Sequence, residues 1–153
     1  MVPSTVLNQL FAHLQTAHGR RDVKAVVVVG ARNKFSAGFD INKFAEAGGG
    51  GIDSRINNAF CDLLESGPKP TVAAIETLAL GGGCEVALAC NARVAAPGAS
   101  IGLPELQLGI LPGFGGTQRL PRLVGLQQAL TMILTSAPVK AEKALKLGLV
   151  DQV

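Results

Sequence analysis

Residues 71–119 read TVAAIETLALGGGCEVALACNARVAAPGASIGLPELQLGILPGFGGTQR, and this stretch decides how the rest of the chain is understood. Glu85 is the only charged side chain between Glu76 and Arg93, and Glu105 is the only one between Arg93 and Arg119. An ionised carboxylate is costly to bury without compensation, so an apolar segment that keeps one has a use for it. Gly81-Gly82-Gly83 stands just ahead of the first carboxylate. The opening N–H groups of a helix have no internal partner and lie at the positive end of its dipole. Glycines there let a ligand come close to the backbone. The stretch therefore predicts a glycine-made anion site flanked by Glu85 and Glu105.

A phosphate is a poor occupant for that site. The G-x-x-x-x-G-K-[ST] pattern is absent, and Glu85 would repel the anion. The same carboxylate suits proton transfer beside a carbonyl that becomes an enolate, with two carboxylates serving as base and acid. The alternative makes both glutamates structural, each bonded to buried backbone amides.

Outward from this stretch the chain alternates helices with short buried strands, which predicts an α/β fold. Residues 71–75 are a buried strand, and the helix over about 82–90 is apolar all round except for Glu85, hence central. Residues 93–96 and 100–102 are short strands either side of a Pro-Gly turn. Pro104 stiffens the backbone before Glu105. A Gly- and Pro-rich loop over 109–116 opens a helix from about Thr117. A second helix carries Leu126, Ala129, Leu130, Ile133 and Leu134, and a last one over 141–147 ends at Gly148. Leu149-Val150 is read as a final strand.

Toward the N-terminus, residues 4–18 have helical spacing with Ser4 as cap, and residues 24–30 form a buried strand closed by glycine. The loop over 31–40 follows that strand, where ligands of α/β folds gather. A helical turn at 41–47 and four glycines at 48–51 come next. Asp53 or Ser54 then caps a helix carrying Ile56, Ala59, Phe60, Leu63 and Leu64, which ends at Gly67-Pro68. At 153 residues, 1–153 is expected to be a single domain.

Composition narrows the function. Charged residues make up only 16%, under the roughly 25% of ordinary domains, so part of the surface is expected to be covered by sister subunits or by further chain. The net charge of +3 comes from scattered Lys and Arg, and with no Trp or Tyr there is no stacking platform for nucleic acid. Cys61, Cys84 and Cys90 sit in apolar contexts without metal spacing, so buried reduced thiols and an intracellular compartment are expected. His13 and His18 are assigned to solvent or packing. No run approaches the roughly 20 apolar residues of a membrane span. Neither a secretory pattern nor a C-terminal address is visible.

Several of these segments carry a resemblance. Phe35-Ser-Ala-Gly-Phe-Asp-Ile41, Ala79-Leu-Gly-Gly-Gly-Cys-Glu85, Leu103-Pro-Glu105, Gly113-Phe-Gly-Gly-Thr-Gln-Arg-Leu120 and 141–151 resemble the enoyl-CoA hydratase/isomerase (crotonase) superfamily, in order from about Val23 to Val153. Residues 108–122 look most like the hydratase part of peroxisomal multifunctional β-oxidation proteins. The resemblance implies a crotonase-like spiral of ββα units, incomplete at both termini, that assembles as trimers or within longer chains. It implies acyl-CoA thioester substrates, with hydration of a trans-2-enoyl-CoA favoured because both glutamates are kept. Oxyanion donors would be the N–H groups of Phe39 and Gly82. Glu85 would deprotonate a bound water and Glu105 would supply a proton to C2. Ala37, Gly38, Asp40 and Ile41 would line the path of CoA and acyl chain, with Gly81, Pro104 and Gly113 completing the substrate contacts. No metal or nicotinamide is required, and coenzyme A enters as part of the substrate.

The chain departs from the family pattern at its ends. The strand pair before the first helix and the helices after the equivalent of Val153, which cover the acyl pocket and build trimer contacts, are not in it. Three functions remain open: a hydratase with or without Δ3-Δ2 isomerase activity, a relative with another acyl-CoA reaction such as thioester hydrolysis, and an inactive binding or assembly subunit.

Overall fold

The computed structural model describes residues 4–38 and 54–153. The helical turn expected at 41–47, the glycine run and the Asp53 cap lie outside them. So do Phe39, Asp40 and Ile41.

The helices are α1 (Ser4–Gly19), α2 (Ser54–Ser66), α3 (Gly82–Ala89), α4 (Gly116–Val124), α5 (Leu126–Thr135) and α6 (Ala141–Lys146). The strands are β1 (Val26–Val29), β2 (Thr71–Ile75), β3 (Leu78–Leu80), β4 (Ala92–Ala95), β5 (Ser100–Gly102) and β6 (Val139–Lys140). A 3-10 turn spans Glu105–Leu108. The strands make two small sheets, one ordered β1-β2-β4 and wholly parallel, the other ordered β3-β5-β6. In the second, β3 pairs with β5 in parallel and β6 closes the other side antiparallel.

β2 runs through the middle of its sheet, and Thr71, Ala73 and Ile75 point into the core. Thr71 ties three elements together. Its hydroxyl donates to Leu64 O at 2.8 Å and accepts from the Asn91 N–H at 3.1 Å. Its own N–H donates to Asn91 Oδ1 at 2.8 Å. α3 is buried almost throughout, as its apolar sequence requires. Arg93, 4% exposed, caps its far end by donating from Nη1 to Cys90 O at 2.6 Å. Cations are favourable where a helix leaves carbonyls unpaired. Nε of the same arginine donates to Leu149 O at 2.9 Å, binding the C-terminal segment to the core.

The structure corrects several expectations. β1 is not a buried strand, because Val27 and Val29 are 60% and 62% exposed while Val26 and Val28 pack inward. β1 ends the sheet's order, and successive side chains of a strand face opposite ways. Leu149-Val150 is not a strand either, although both residues are buried. The chain makes a single bridge there, Val94 with Gln152, while the Leu149 N–H donates to Ala144 O at 2.9 Å and the Asp151 N–H to Arg93 O at 2.8 Å. The strands expected either side of the Pro-Gly turn are present as β4 and β5, which belong to different sheets. β3, β6 and the 3-10 turn were not visible in the sequence pattern. Helix α4 starts one residue earlier than expected, at Gly116.

Candidate active site

Three chain segments run side by side and end at one place. Ser36 bridges Ala79 in parallel, with its N–H on Leu78 O at 3.2 Å and its carbonyl accepting from Leu80 N–H at 2.9 Å. β3 pairs with β5 with Leu80 opposite Gly102. Gly38, Gly81 and Leu103 thus emerge together at the carboxyl ends of parallel segments, where α/β folds place ligands.

Glycines make this convergence sterically feasible. Gly81 has φ +54° and Gly38 φ +97°, backbone states that side chains rarely adopt. A Cβ on Gly38 would lie 3.1 Å from Leu80 O and 3.4 Å from Gly82 N, so these two backbones are in close contact. A Cβ on Gly83 would meet Ser36 Oγ and O at 2.7 Å. Ser36 Oγ also accepts the Gly38 N–H at 3.1 Å, which holds the turn against the start of α3. As the first residue of α3, Gly82 has an N–H with no intrahelical acceptor, and it faces the Gly38 turn.

Glu85 lies one turn into α3 and is 1% exposed. Its Oε1 accepts two backbone N–H groups, Phe114 at 2.7 Å and Gly116 at 2.9 Å. A Cβ on Gly116 would sit 2.9 Å from the same oxygen, so a side chain there would push the carboxylate off this bond. Burial raises the Glu85 pKa. The amides of Gly116 and Phe114, the Arg119 charge and the Gly113 amide pull it back. Glu105, 8% exposed, opens the 3-10 turn after Pro104. Burial pushes its pKa up to about 7, against its own backbone N–H and with help from the Glu85 charge. Its Oε1 lies 3.5 Å from where a Cβ on Gly81 would be.

The second oxygen of each carboxylate, Oε2, is buried and accepts no hydrogen bond among the described residues. The pair is thus divided chemically. Glu85 has two amide donors and a nearby cation to stabilise its charged form, whereas Glu105 is held near the pH where it can carry a proton. Such pairs titrate together, and these environments belong to the pair as much as to each residue.

The structure brings Gly38, Gly81, Gly82, Glu85, Pro104 and Glu105 into one neighbourhood. Gly113 stands on the loop that donates to Glu85, and a Cβ added there would meet nothing within 4 Å. Ala37 is exposed beside Gly38. The structural reading of Glu85, a carboxylate bonded to buried amides, holds for its Oε1. Sequence reasoning passed over Arg119, which is 8% exposed and hydrogen-bonds Phe114 O. Its signal was an arginine within an apolar, glycine-rich segment.

The fold and this cluster of glycines and carboxylates agree with what whole-chain comparisons find. Residues 2–153 match the family described as enoyl-CoA hydratase/isomerase, and the chain belongs to that family. It is 58% identical to the glyoxysomal fatty acid beta-oxidation multifunctional protein MFP-a of Brassica napus, over 97% of this chain and 21% of that protein. It is 56% identical to the peroxisomal multifunctional protein MFP2 of Arabidopsis thaliana, with the same shares covered. Among solved structures, an enoyl-CoA hydratase from Bacillus anthracis superposes with a TM-score of 0.90 at 37% identity, over 99% of this chain and 60% of that one. The chain therefore has the crotonase fold, and it spans about a fifth of the length of the multifunctional relatives.

Proposed function

We propose that this domain hydrates a trans-2-enoyl-CoA to a 3-hydroxyacyl-CoA within fatty-acid β-oxidation. The observation that carries the reading is the pair of buried carboxylates beside the Gly38–Gly82 backbone, each with an Oε2 that accepts no hydrogen bond among the described residues. The names of the multifunctional relatives support the pathway, and their peroxisomal or glyoxysomal designation supports a peroxisomal setting.

The thioester oxygen would rest on the N–H groups of Gly82 and Phe39. A donor aimed at the developing enolate is worth about 3 kcal/mol. Glu85, whose Oε1 is already occupied, would use Oε2 to take a proton from water as its oxygen bonds to C3. Glu105 would give a proton to C2, and proton return from Glu85 to Glu105 would reset the pair. Water's oxygen and one proton end on C3 as hydroxyl, and the second proton is balanced at C2. Ala37, Asp40 and Ile41 would line the CoA path, with Gly81, Pro104 and Gly113 at the acyl end. Coenzyme A is needed only as part of the substrate.

The test is the loss of enoyl-thioester absorbance from crotonyl-CoA, with Glu105→Gln as control. Turnover that the substitution lowers by 100-fold or more is expected. A folded chain that binds CoA ligands without turnover would overturn the hydratase reading. Release of free CoA thiol would replace it with thioester hydrolysis.

A further inference from the structure

Arg119 has a buried guanidinium, and each of its three nitrogens donates to a protein acceptor. Nη1 donates to Phe114 O at 2.9 Å. Nε and Nη2 donate to Glu65 Oε2 at 3.0 and 2.8 Å, and Nη2 also reaches Asp62 Oδ1 at 3.1 Å. Asp62 and Glu65 are on α2, so the fork fastens the 113–116 loop to a helix that contributes no catalytic candidate. The loop has two sides. The N–H groups of Phe114 and Gly116 face Glu85 Oε1, and the carbonyl between them faces Arg119. Gly115, at φ +93°, separates the two. A Cβ there would lie on Arg119 Nη1, so the loop sequence is fitted to this side chain.

We propose that Arg119 is a positioning residue for Glu85: it fixes the Phe114–Gly116 turn so that Oε1 stays the held oxygen and Oε2 the acting one. A planar fork suits this task, since one rigid group can grip a carboxylate and a carbonyl at once. The Arg119 charge also favours the ionised form of Glu85, which agrees with the geometry. The role rests on the hydratase reading for its catalytic consequence, but its effect on the Glu85 carboxyl does not.

The experiment follows the glutamate carboxyl carbons by 13C NMR against pH in the purified full-length protein, with Glu85 assigned through Glu85→Gln. Arg119→Met, Arg119→Lys and Glu65→Gln are compared with the parent. The Glu85 carboxyl should titrate at higher pH in Arg119→Met. The Phe114 and Gly116 amides should exchange faster with solvent in both Arg119 variants. Arg119→Lys keeps the charge but loses the fork, so its titration should stay closer to the parent. Glu65→Gln, which loosens the fork and leaves Arg119 in place, should speed amide exchange as well, and it carries the test if the Arg119 variants do not fold. With crotonyl-CoA, kcat should fall about 10- to 100-fold while KM changes little. Unchanged Glu85 titration and unchanged amide exchange in folded Arg119→Met would overturn the proposal, even if kcat fell. A parent without turnover whose Glu85 still responds to Arg119 would leave the positioning role standing and sink the hydratase reading alone.

Discussion

Glu85 and Glu105 share the cost of burial but not the means of offsetting it. That difference has a consequence for stability. The carboxyl of Glu105 is raised from an ordinary 4.5 to about 7 in the fold. Between those values the native state binds more protons than the unfolded chain, so stability falls as pH rises through the window. At roughly 1.4 kcal/mol per unit, the loss is about 3 kcal/mol between pH 4.5 and 7. Glu105→Gln removes it. Urea denaturation should show the variant gaining on the parent by about that much from pH 5 to pH 8. Equal pH dependence in both proteins would mean that Glu105 is ordinarily solvated. Activity should fall in the same direction, declining in the parent above about pH 7 as Glu105 loses its proton. At this scale much was legible in the sequence. Lone charges in apolar runs singled out Glu85 and Glu105. Arg119 escaped because Glu65 lies 54 positions away and Asp62 57, and such pairings leave no local pattern.

Among the elements, the junction of β3 and α3 depends on how closely Ser36 approaches Gly83. A methyl group there would collide with both the hydroxyl and the carbonyl of Ser36. Gly83→Ala should therefore cost about 1–3 kcal/mol in chemical denaturation and displace the Gly38 turn from Gly82. In contrast, Gly19→Ala meets nothing within 4 Å and has no positive φ, so stability should change by less than about 1 kcal/mol. Similar losses in both variants would refute the close-approach argument. Long periodic helices were readable from sequence, as were β2 and the glycine start of α3. β3 has three residues and β6 two, too few to display an alternation. Leu149-Val150 misled for the opposite reason, since two buried apolar residues look like a strand whether or not they pair.

On the scale of the whole molecule, several large apolar side chains among the described residues are exposed. Leu126, Leu130 and Leu134 line one side of α5 at intervals of four and are exposed, as are Leu108, Leu111, Val27 and Val29. An exposed apolar helix stripe favours association. Sedimentation velocity should show self-association that rises with concentration, and a Leu126→Glu/Leu134→Glu pair should reduce it without lowering Tm by more than a few degrees. A monomer at all concentrations would show that these leucines are tolerated singly. The sparse charge in the sequence pointed to covered surface in general. It did not point to α5, because helical spacing fits a buried face and an exposed one equally well.

The buried thiols give the chain an internal reporter. Cys61, Cys84 and Cys90 are free, lie inside the core and are all raised by burial, Cys61 to about 12 and Cys90 to about 11. The thiolate is the reactive form, so none should react with a disulfide reagent at neutral pH while the fold is closed. Labelling then counts openings. Cys84 is next to Glu85 on α3, so its modification rate would time how often the helix that carries Glu85 leaves its place.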